Sequence, residues 1–163
     1  MLELNEKTIR GSFINASVRE RTNLTLPENF ATLDWEELDF LGWRDRKYPE
    51  LGYVVGYVDA KPTAILLRRA EAATRARPQC TLCEDVFLPN DVAFFNAKRA
   101  GKAGRNGNTV STLMCAGFEC SANVRRLPVA AYLGFDVEGA RRERMATLVS
   151  NFEGFLRNLR DGV

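Results

Sequence analysis

Two stretches of the chain place apolar side chains at helical spacing, one near each end. Between residues 5 and 21, apolar positions recur every three or four residues and predict an N-terminal helix that ends before Pro27. Between residues 137 and 159, a longer apolar face predicts a C-terminal helix with arginines on its other faces. The two apolar faces comprise Ile9, Phe13, Ile14 and Val18, and then Met145, Leu148, Val149, Phe152, Phe155, Leu156 and Leu159.

The middle of the chain carries the shorter apolar runs that are typical of β-strands. Residues 51–58 and 63–69 predict a β-hairpin, because the residues between them, 59–62, suit a turn. Residues 33–43 hold both tryptophans, Trp35 and Trp43, in a segment of mixed helical and strand character. They are interpreted as core anchors, with an exposed aromatic binding site as the alternative. Further short strands are predicted at residues 86–88, 92–95 and 109–114.

Small, polar and basic residues at positions 70–77 indicate a connector between two regions. The sequence therefore predicts an α+β protein with an N-terminal α+β region, residues 1–77, made of a helix and a β-hairpin. The second region, residues 78–163, would hold the remaining short strands and end in the long helix.

Four cysteines in two close pairs are the main chemical signal of the chain. They are Cys80 with Cys83 and Cys115 with Cys120, and the sequence has no other cysteine and no histidine. Paired cysteines two to four residues apart can direct both sulfurs at one point, and two pairs complete the tetrahedron that Zn²⁺ prefers. The first cysteine pair in a turn, then a hairpin, and then the second pair at a predicted helix start occur in the order that is typical of a treble-clef zinc finger. We therefore predict one structural Zn²⁺ and a four-cysteine treble-clef lobe at residues 78–163, which we call the zinc lobe.

Disulfides or ordinary buried thiols are the alternative interpretation of these cysteines. A redox role for Cys80 and Cys83 is disfavoured, because the βαβ pattern expected around a redox pair is missing. Paired cysteines in a chain that is expected to be cytoplasmic favour metal over disulfide. A site closed by four cysteines leaves no open coordination position, so the metal is expected to be structural and not catalytic.

The net charge of +2 conceals an uneven distribution of charged residues. Residues 1–59 carry 7 basic and 11 acidic side chains, whereas residues 60–163 carry 16 basic and 10 acidic ones. A basic zinc lobe suggests an anionic partner, either nucleic acid or an acidic protein face. A solvated basic surface without a dedicated partner is the alternative.

The sequence shows no recognisable targeting segment and no recognisable set of catalytic residues. Charged residues interrupt the first 25 positions, and no run approaches the roughly 18 apolar residues of a membrane span, so we expect a cytoplasmic protein without membrane contact. Without histidine, the usual general base near neutral pH is absent. No serine or paired acid has an identifiable partner, and we expect a protein that is not an enzyme.

The glycine-rich loop at residues 100–109 has two interpretations. Its glycines, with Lys102 and Arg105, resemble a phosphate cradle, but the order of residues does not fit a nucleotide-binding P-loop. Gly101 and Gly104 match the short Gly-x-x-Gly of RNA-binding KH domains, although the rest of that fold is not evident. The loop is therefore either a wide hairpin turn or a partner-contacting segment.

The zinc lobe resembles a known family. The Cys80–Cys83 pair, the run Ala-Gly-Arg-Asn-Gly-Asn-Thr-Val at 103–110, and Met-Cys-Ala-Gly-Phe-Glu-Cys-Ser-Ala-Asn-Val-Arg at 114–125 are similar to the C-terminal treble-clef zinc finger of elongation-factor-G-binding proteins. That family includes the fusidic-acid-resistance proteins. The stretch 141–160 is similar to the family's terminal helix, so the resemblance covers residues 78–160.

The resemblance implies a non-enzymatic protein that grips the C-terminal domains of elongation factor G. It further implies release of that factor from the ribosome and tolerance of fusidic acid. By position, Cys80, Cys83, Cys115 and Cys120 would be the zinc ligands, and the zinc lobe would make the main contacts. Exposed-loop chemistry selects six candidate contact residues: Phe94, Lys98, Arg99, Arg105, Asn106 and Asn108.

Two alternatives remain at the sequence level. Asn106 and Asn108 are also typical turn formers, which would give them a structural role. The zinc lobe would also suit an RNA-binding module, with the basic loop on phosphates and Phe94 or Phe95 stacked on bases. Resistance proteins of the family have a longer, all-helical N-terminal domain, whereas this chain is predicted to begin with one helix and a hairpin.

Overall fold

The computed structural model describes residues 1–71 and 78–162. Its helices are α1 (Glu6–Gly11), α2 (Val18–Asn23), α3 (Gly101–Arg105), α4 (Cys120–Arg125) and α5 (Val137–Asp161), with 3₁₀ turns at Phe30–Thr32 and Trp35–Glu37. Its strands are β1 (Leu41–Arg44), β2 (Leu51–Val58), β3 (Lys61–Arg69), β4 (Val92–Lys98) and β5 (Thr109–Cys115). The predicted α+β class is confirmed.

The five strands form one antiparallel sheet in chain order, β1-β2-β3-β4-β5. The predicted hairpin is confirmed as β2 and β3, but its turn is shorter than 59–62. Val58 pairs with Lys61, so only Asp59 and Ala60 connect the strands, with φ values of 50° and 60°. Two residues with positive φ match the tight turn that suits the twist of paired strands.

Both faces of the sheet are covered, because alternate residues of β2 and β3 enter two different apolar clusters. Val54 and Ile65 belong to a cluster with α5 and the four cysteines, whereas Val55 and Ala64 belong to a cluster with the N-terminal segment. Successive strand residues point to opposite faces, which explains the division. Helix α5 and the cysteine cluster thus cover one face, and the N-terminal segment covers the other.

The predicted single helix at 5–21 is wrong, because the chain folds there as α1 and α2 with an extended piece between them. Ala64 in β3 donates to Ser12 O and accepts from Ile14 N, each at 3.0 Å. Ser17 then starts α2 with a reciprocal capping box to Glu20. The tertiary pairing with β3 and this local start signal together outweigh the continuous helical periodicity.

Strands β3 and β4 pair directly only at Arg68 with Asn96 and at Arg69 with Phe95. Further along, the side chain of Asn15 bridges the two strands. Its Nδ2 donates to Leu66 O at 2.9 Å and to Lys98 O at 3.0 Å, while its Oδ1 accepts from Leu66 N at 2.8 Å. Backbone groups that the diverging strands leave unpaired are therefore satisfied by a residue of the N-terminal segment.

The segment 33–43 resolves into a 3₁₀ turn and strand β1. Trp43 is buried and donates from Nε1 to Thr25 O at 2.8 Å, while Trp35 is half-buried against the same apolar cluster. The interpretation of both tryptophans as core anchors is confirmed.

Helix α5 is confirmed and extends two residues beyond the predicted end, to Asp161, where Gly162 caps it with φ 80°. Its core residues are Leu148, Phe152, Leu156 and Leu159, with Met145 and Phe155 packed against them. Val149 is 46% exposed, so its assignment to the buried face was wrong.

The predicted strand at 86–88 is also wrong, because Val86 and Phe87 lie in an exposed bend. Most of the predicted connector, residues 72–77, lies outside the described residues. The boundary between regions 1–77 and 78–163 stays a prediction, and β3 and β4 on either side of it belong to the same sheet. Among the described residues, no helix is both long and apolar enough to cross a membrane.

Candidate zinc centre and surrounding surface

Three structural elements bring the four cysteines together. Cys80 and Cys83 lie in a turn that precedes β4, Cys115 ends β5, and Cys120 is the first residue of α4. The first turn closes through Glu84 N, which donates to Cys80 O at 3.0 Å. The order of turn, β4–β5 hairpin and α4 is that of a treble-clef finger.

The four sulfur atoms form a compact, buried cluster. All four lie within 4.8 Å of one another, and the Sγ–Sγ distances are 3.6 Å for Cys80–Cys120 and 3.8 Å for Cys83–Cys115. A tetrahedral zinc with Zn–S bonds of about 2.3 Å requires sulfur–sulfur edges of about 3.8 Å. The cysteines are 0–4% exposed. The donor set, its spacing and its burial therefore fit Zn²⁺ without adjustment.

Contacts among the four sulfur atoms shift the pKa values of these cysteines in different directions. The contact with Cys115 is the main reason that the pKa values of Cys80 and Cys83 are lowered. The contact with Cys115 is also the main reason that the pKa of Cys120 is raised. Zinc binds the thiolate form of cysteine, so all four side chains would be deprotonated as zinc ligands.

A family model described as FBP C-terminal treble-clef zinc-finger matches residues 8–159. The chain belongs to this family. The match reaches back far beyond the 78–160 that the sequence resemblance covered. No curated protein and no solved structure matches the chain significantly. The FBP-type finger of this chain has one structural zinc site, as predicted from the cysteine pairs.

The FBP-type finger packs on the sheet through Phe118, which lies between Cys115 and Cys120. Phe118 has φ 64° and lies over two glycines, one on β1 and one on β2. A Cβ on Gly42 would lie 2.5 Å from Phe118 Cβ, and one on Gly52 would lie 2.6 Å from Phe118 Cζ. The glycines therefore make room for the aromatic ring, and the zinc turn packs directly on the hairpin region.

Helix α4 is attached to the N-terminal region by a partly buried ion pair. Arg125 contacts the carboxylates of Asp39 and Glu37, and Asp39 N donates to Ser121 Oγ at 3.0 Å. The side chains of Arg125 and Asp39 are only 15% and 10% exposed. The guanidinium of Arg125 therefore joins α4 to the segment that precedes β1.

Five of the six predicted contact residues lie at the end of β4 or in the loop that joins β4 to β5, whereas Phe94 lies within β4, opposite Leu113. Five of the six are exposed: Phe94, Lys98, Arg105, Asn106 and Asn108. Arg99 is half-buried, and its Nη1 donates to Asn158 O at 2.6 Å, which ties the loop to α5. Lys98 and Arg105 line a cleft of about 300 Å³ together with Ser17 and Glu20. A contact role for these residues stays a prediction.

The glycine loop contains the short helix α3, so it is more than a hairpin turn. A Cβ on Gly104 would lie 1.8 Å from Arg99 O, and Gly107 has φ 89°. Asn106 N donates to Lys102 O at 3.0 Å and ends the helix. Gly104 and Gly107 therefore have structural reasons for their identity, whereas Asn106 ends the helix through its backbone N–H.

Sequence reasoning missed an exposed apolar surface beside Cys83, which we call the knuckle cleft. It has a volume of about 550 Å³, and its apolar lining includes Val86, Phe87, Leu127, Pro128 and Val129. Of these, Phe87 is 79% and Val129 is 82% exposed. Apolar runs too short for a buried strand, at 86–88 and 127–129, were the available signal. Exposed apolar surfaces of this kind are typical of interaction sites.

Proposed function

We propose that this protein is a non-enzymatic binding protein for translation elongation factor G. The observation that carries the proposal is the closed zinc centre, whose four ligands all come from the chain and are 0–4% exposed. A zinc ion with four cysteine ligands stabilises the fold of its lobe and has no open coordination position for a substrate. We infer the partner from the membership of the FBP zinc-finger family and from the resemblance to elongation-factor-G-binding proteins.

The proposal extends to the action of the complex. Binding to the C-terminal domains of the factor would promote its release from the ribosome, including the state trapped by fusidic acid. This activity takes place in the cytoplasm. The chain has no histidine, and the proposal needs no general acid or base because no covalent bond changes.

Lys98 and Arg105 support an electrostatic contribution to binding. Both are exposed and make no ion pair within the described residues. Exposed cations of this kind steer association toward an acidic face and act on the association rate more than on the dissociation rate. Phe94, 37% exposed on the same side of β4 as Lys98, adds an aromatic contact.

Calorimetric titration of the zinc-loaded protein with purified elongation factor G tests the proposal. A single-stranded RNA of mixed sequence is titrated in parallel. Saturable one-to-one binding to the factor without binding to RNA is the expected result. Failure to bind the factor at concentrations of tens of micromolar would overturn the proposed function and leave the zinc centre unaffected.

Reversing two charges, Lys98→Glu together with Arg105→Glu, is expected to lower the association rate with the factor about tenfold at low salt. The difference should shrink as salt screens the charges. Stopped-flow or surface-plasmon kinetics at two salt concentrations measures it. The matched control is Lys7→Glu with Lys61→Glu, an equal charge change at exposed lysines of residues 1–71. Equal rates for both double variants would remove Lys98 and Arg105 from the interface.

An RNA-binding module remains the second candidate, because exposed Phe94 and Lys98 lie on the same outward side of β4. A base stacked on Phe94 with its phosphate near Lys98 would follow a common mode of single-strand recognition. Phe95, the other stacking candidate, is fully buried and is excluded from this role. RNA binding that Phe94→Ala weakens, without any binding to the factor, would favour this candidate.

A further inference from the structure

Asn123 of α4 is a fully buried polar residue next to the zinc ligands. Its Nδ2 donates to Cys115 Sγ at 3.4 Å and to Asn90 Oδ1 at 2.9 Å. Its Oδ1 accepts from Arg126 Nη2 at 2.8 Å. The side-chain amide therefore uses both of its N–H groups and its oxygen.

The chemistry of the partners fixes the orientation of this amide. A guanidinium has donors only, so the atom that faces Arg126 must be the oxygen of Asn123. The nitrogen then faces Cys115 and Asn90. Arg144 holds the backbone of the same residue, because its Nη2 lies 3.3 Å from Asn123 O while it pairs with Asp85. The N–H that points at sulfur is thus positioned from three sides.

Four thiolates around Zn²⁺ carry a formal charge of −2 in a site that excludes water, and such a charge is stabilised by donors aimed at the sulfurs. Among the side chains that the structure describes, only Asn123 donates a hydrogen bond to a ligand sulfur from outside the cysteine cluster. Arg126 is exposed, and its charge reaches the cluster through the polarised amide.

We propose that Asn123 is a positioning residue of the zinc centre that, together with Arg126, stabilises the thiolate of Cys115 and slows zinc loss. The amide acts on the sulfur directly, and the guanidinium acts through the amide. This role concerns the metal centre itself and is independent of which partner the protein binds.

Asn123→Asp tests the role, because it keeps the size of the side chain and replaces the donor to sulfur with a carboxylate oxygen. Loss of an outer partner of a metal ligand typically costs 10–100-fold in metal affinity, and we expect a loss of zinc affinity in that range. Competition with a chromogenic chelator measures the affinity and the release rate. In the cobalt-substituted protein, the sulfur-to-metal charge-transfer band should move to lower energy, because the sulfur electrons lose a stabilising donor.

Two further variants separate this role from a structural one. Asn151 donates to Leu82 O at 3.1 Å and holds the first cysteine turn without touching sulfur, so Asn151→Ala should loosen zinc without moving the charge-transfer band. Arg126→Gln, at an exposed position, should release zinc severalfold faster and move the band in the same direction as Asn123→Asp. Arg142→Gln is its control, since exposed Arg142 contacts none of the zinc ligands in the described structure.

Wild-type release rates and spectra in both Asn123→Asp and Arg126→Gln would overturn the proposal. A band shift in Asn151→Ala equal to that of Asn123→Asp would also overturn it, because the shift would then report loosened packing. Should Asn123→Asp fail to fold, Arg126→Gln decides the outcome by itself.

Discussion

Replacing Cys115 with serine is expected to abolish stable zinc binding and to unfold the zinc lobe. Structural zinc in small fingers contributes about 10–16 kcal/mol at neutral pH, which is comparable to or larger than the whole stability of a typical domain. Cys115 ends β5 and contacts Asn123, so its loss also leaves a buried amide donor without its acceptor. Three remaining thiols cannot close the tetrahedron.

Elemental analysis should give one zinc per chain for the wild type and less than a tenth of that for Cys115→Ser. Hydrogen exchange should show lost protection in β5 and α4. Ser111→Ala is the matched control, because Ser111 lies exposed on the same strand, away from the cluster. A Cys115→Ser protein that retains native protection without zinc would show that the metal does not hold the fold.

Phe152→Ala is expected to destabilise the protein by about 3–5 kcal/mol, the usual cost of removing a buried aromatic ring. Phe152 is 2% exposed and stacks on Phe40, with ring centroids 4.3 Å apart. It also fills the space above Gly56, where a Cβ would lie 2.4 Å from its ring. The substitution therefore leaves a cavity between α5 and β2, next to Phe40 and Gly56.

Urea unfolding of the zinc-loaded protein measures this change as a shift in midpoint at constant slope. Val149→Ala on the same helix is the control, because Val149 is 46% exposed and its truncation should cost less than about 1 kcal/mol. Equal destabilisation by the two variants would contradict the packing of α5 described above.

The zinc centre could be predicted from sequence because its information is local. The spacing of Cys80 and Cys83 and of Cys115 and Cys120 determines which sulfurs can share a metal, whatever the rest of the chain does. The β2–β3 hairpin and α5 were predictable for the same reason, since their periodicity and turn chemistry lie within each segment.

Three of the features that sequence reasoning missed depend on contacts that no pattern in the sequence indicates. The N-terminal helix was predicted too long because its interruption is caused by pairing with Ala64. Nothing near Phe118 indicates that Gly42 and Gly52 make room for its ring. Asn123 has an unremarkable position in α4, and only the folded structure places its amide between Arg126 and Cys115. Such contacts have no periodic signal.

The bridge formed by Asn15 has a consequence for the order of folding. This side chain joins Leu66 and Lys98, which lie 51 and 83 positions away along the chain. Contacts between such distant positions form slowly, because a long loop must close before any of them is gained. During synthesis Asn15 emerges early, yet it has both strands to join only after β4 has been made. We therefore expect the N-terminal segment to dock late, with completion of the sheet waiting for the hairpin of the zinc lobe.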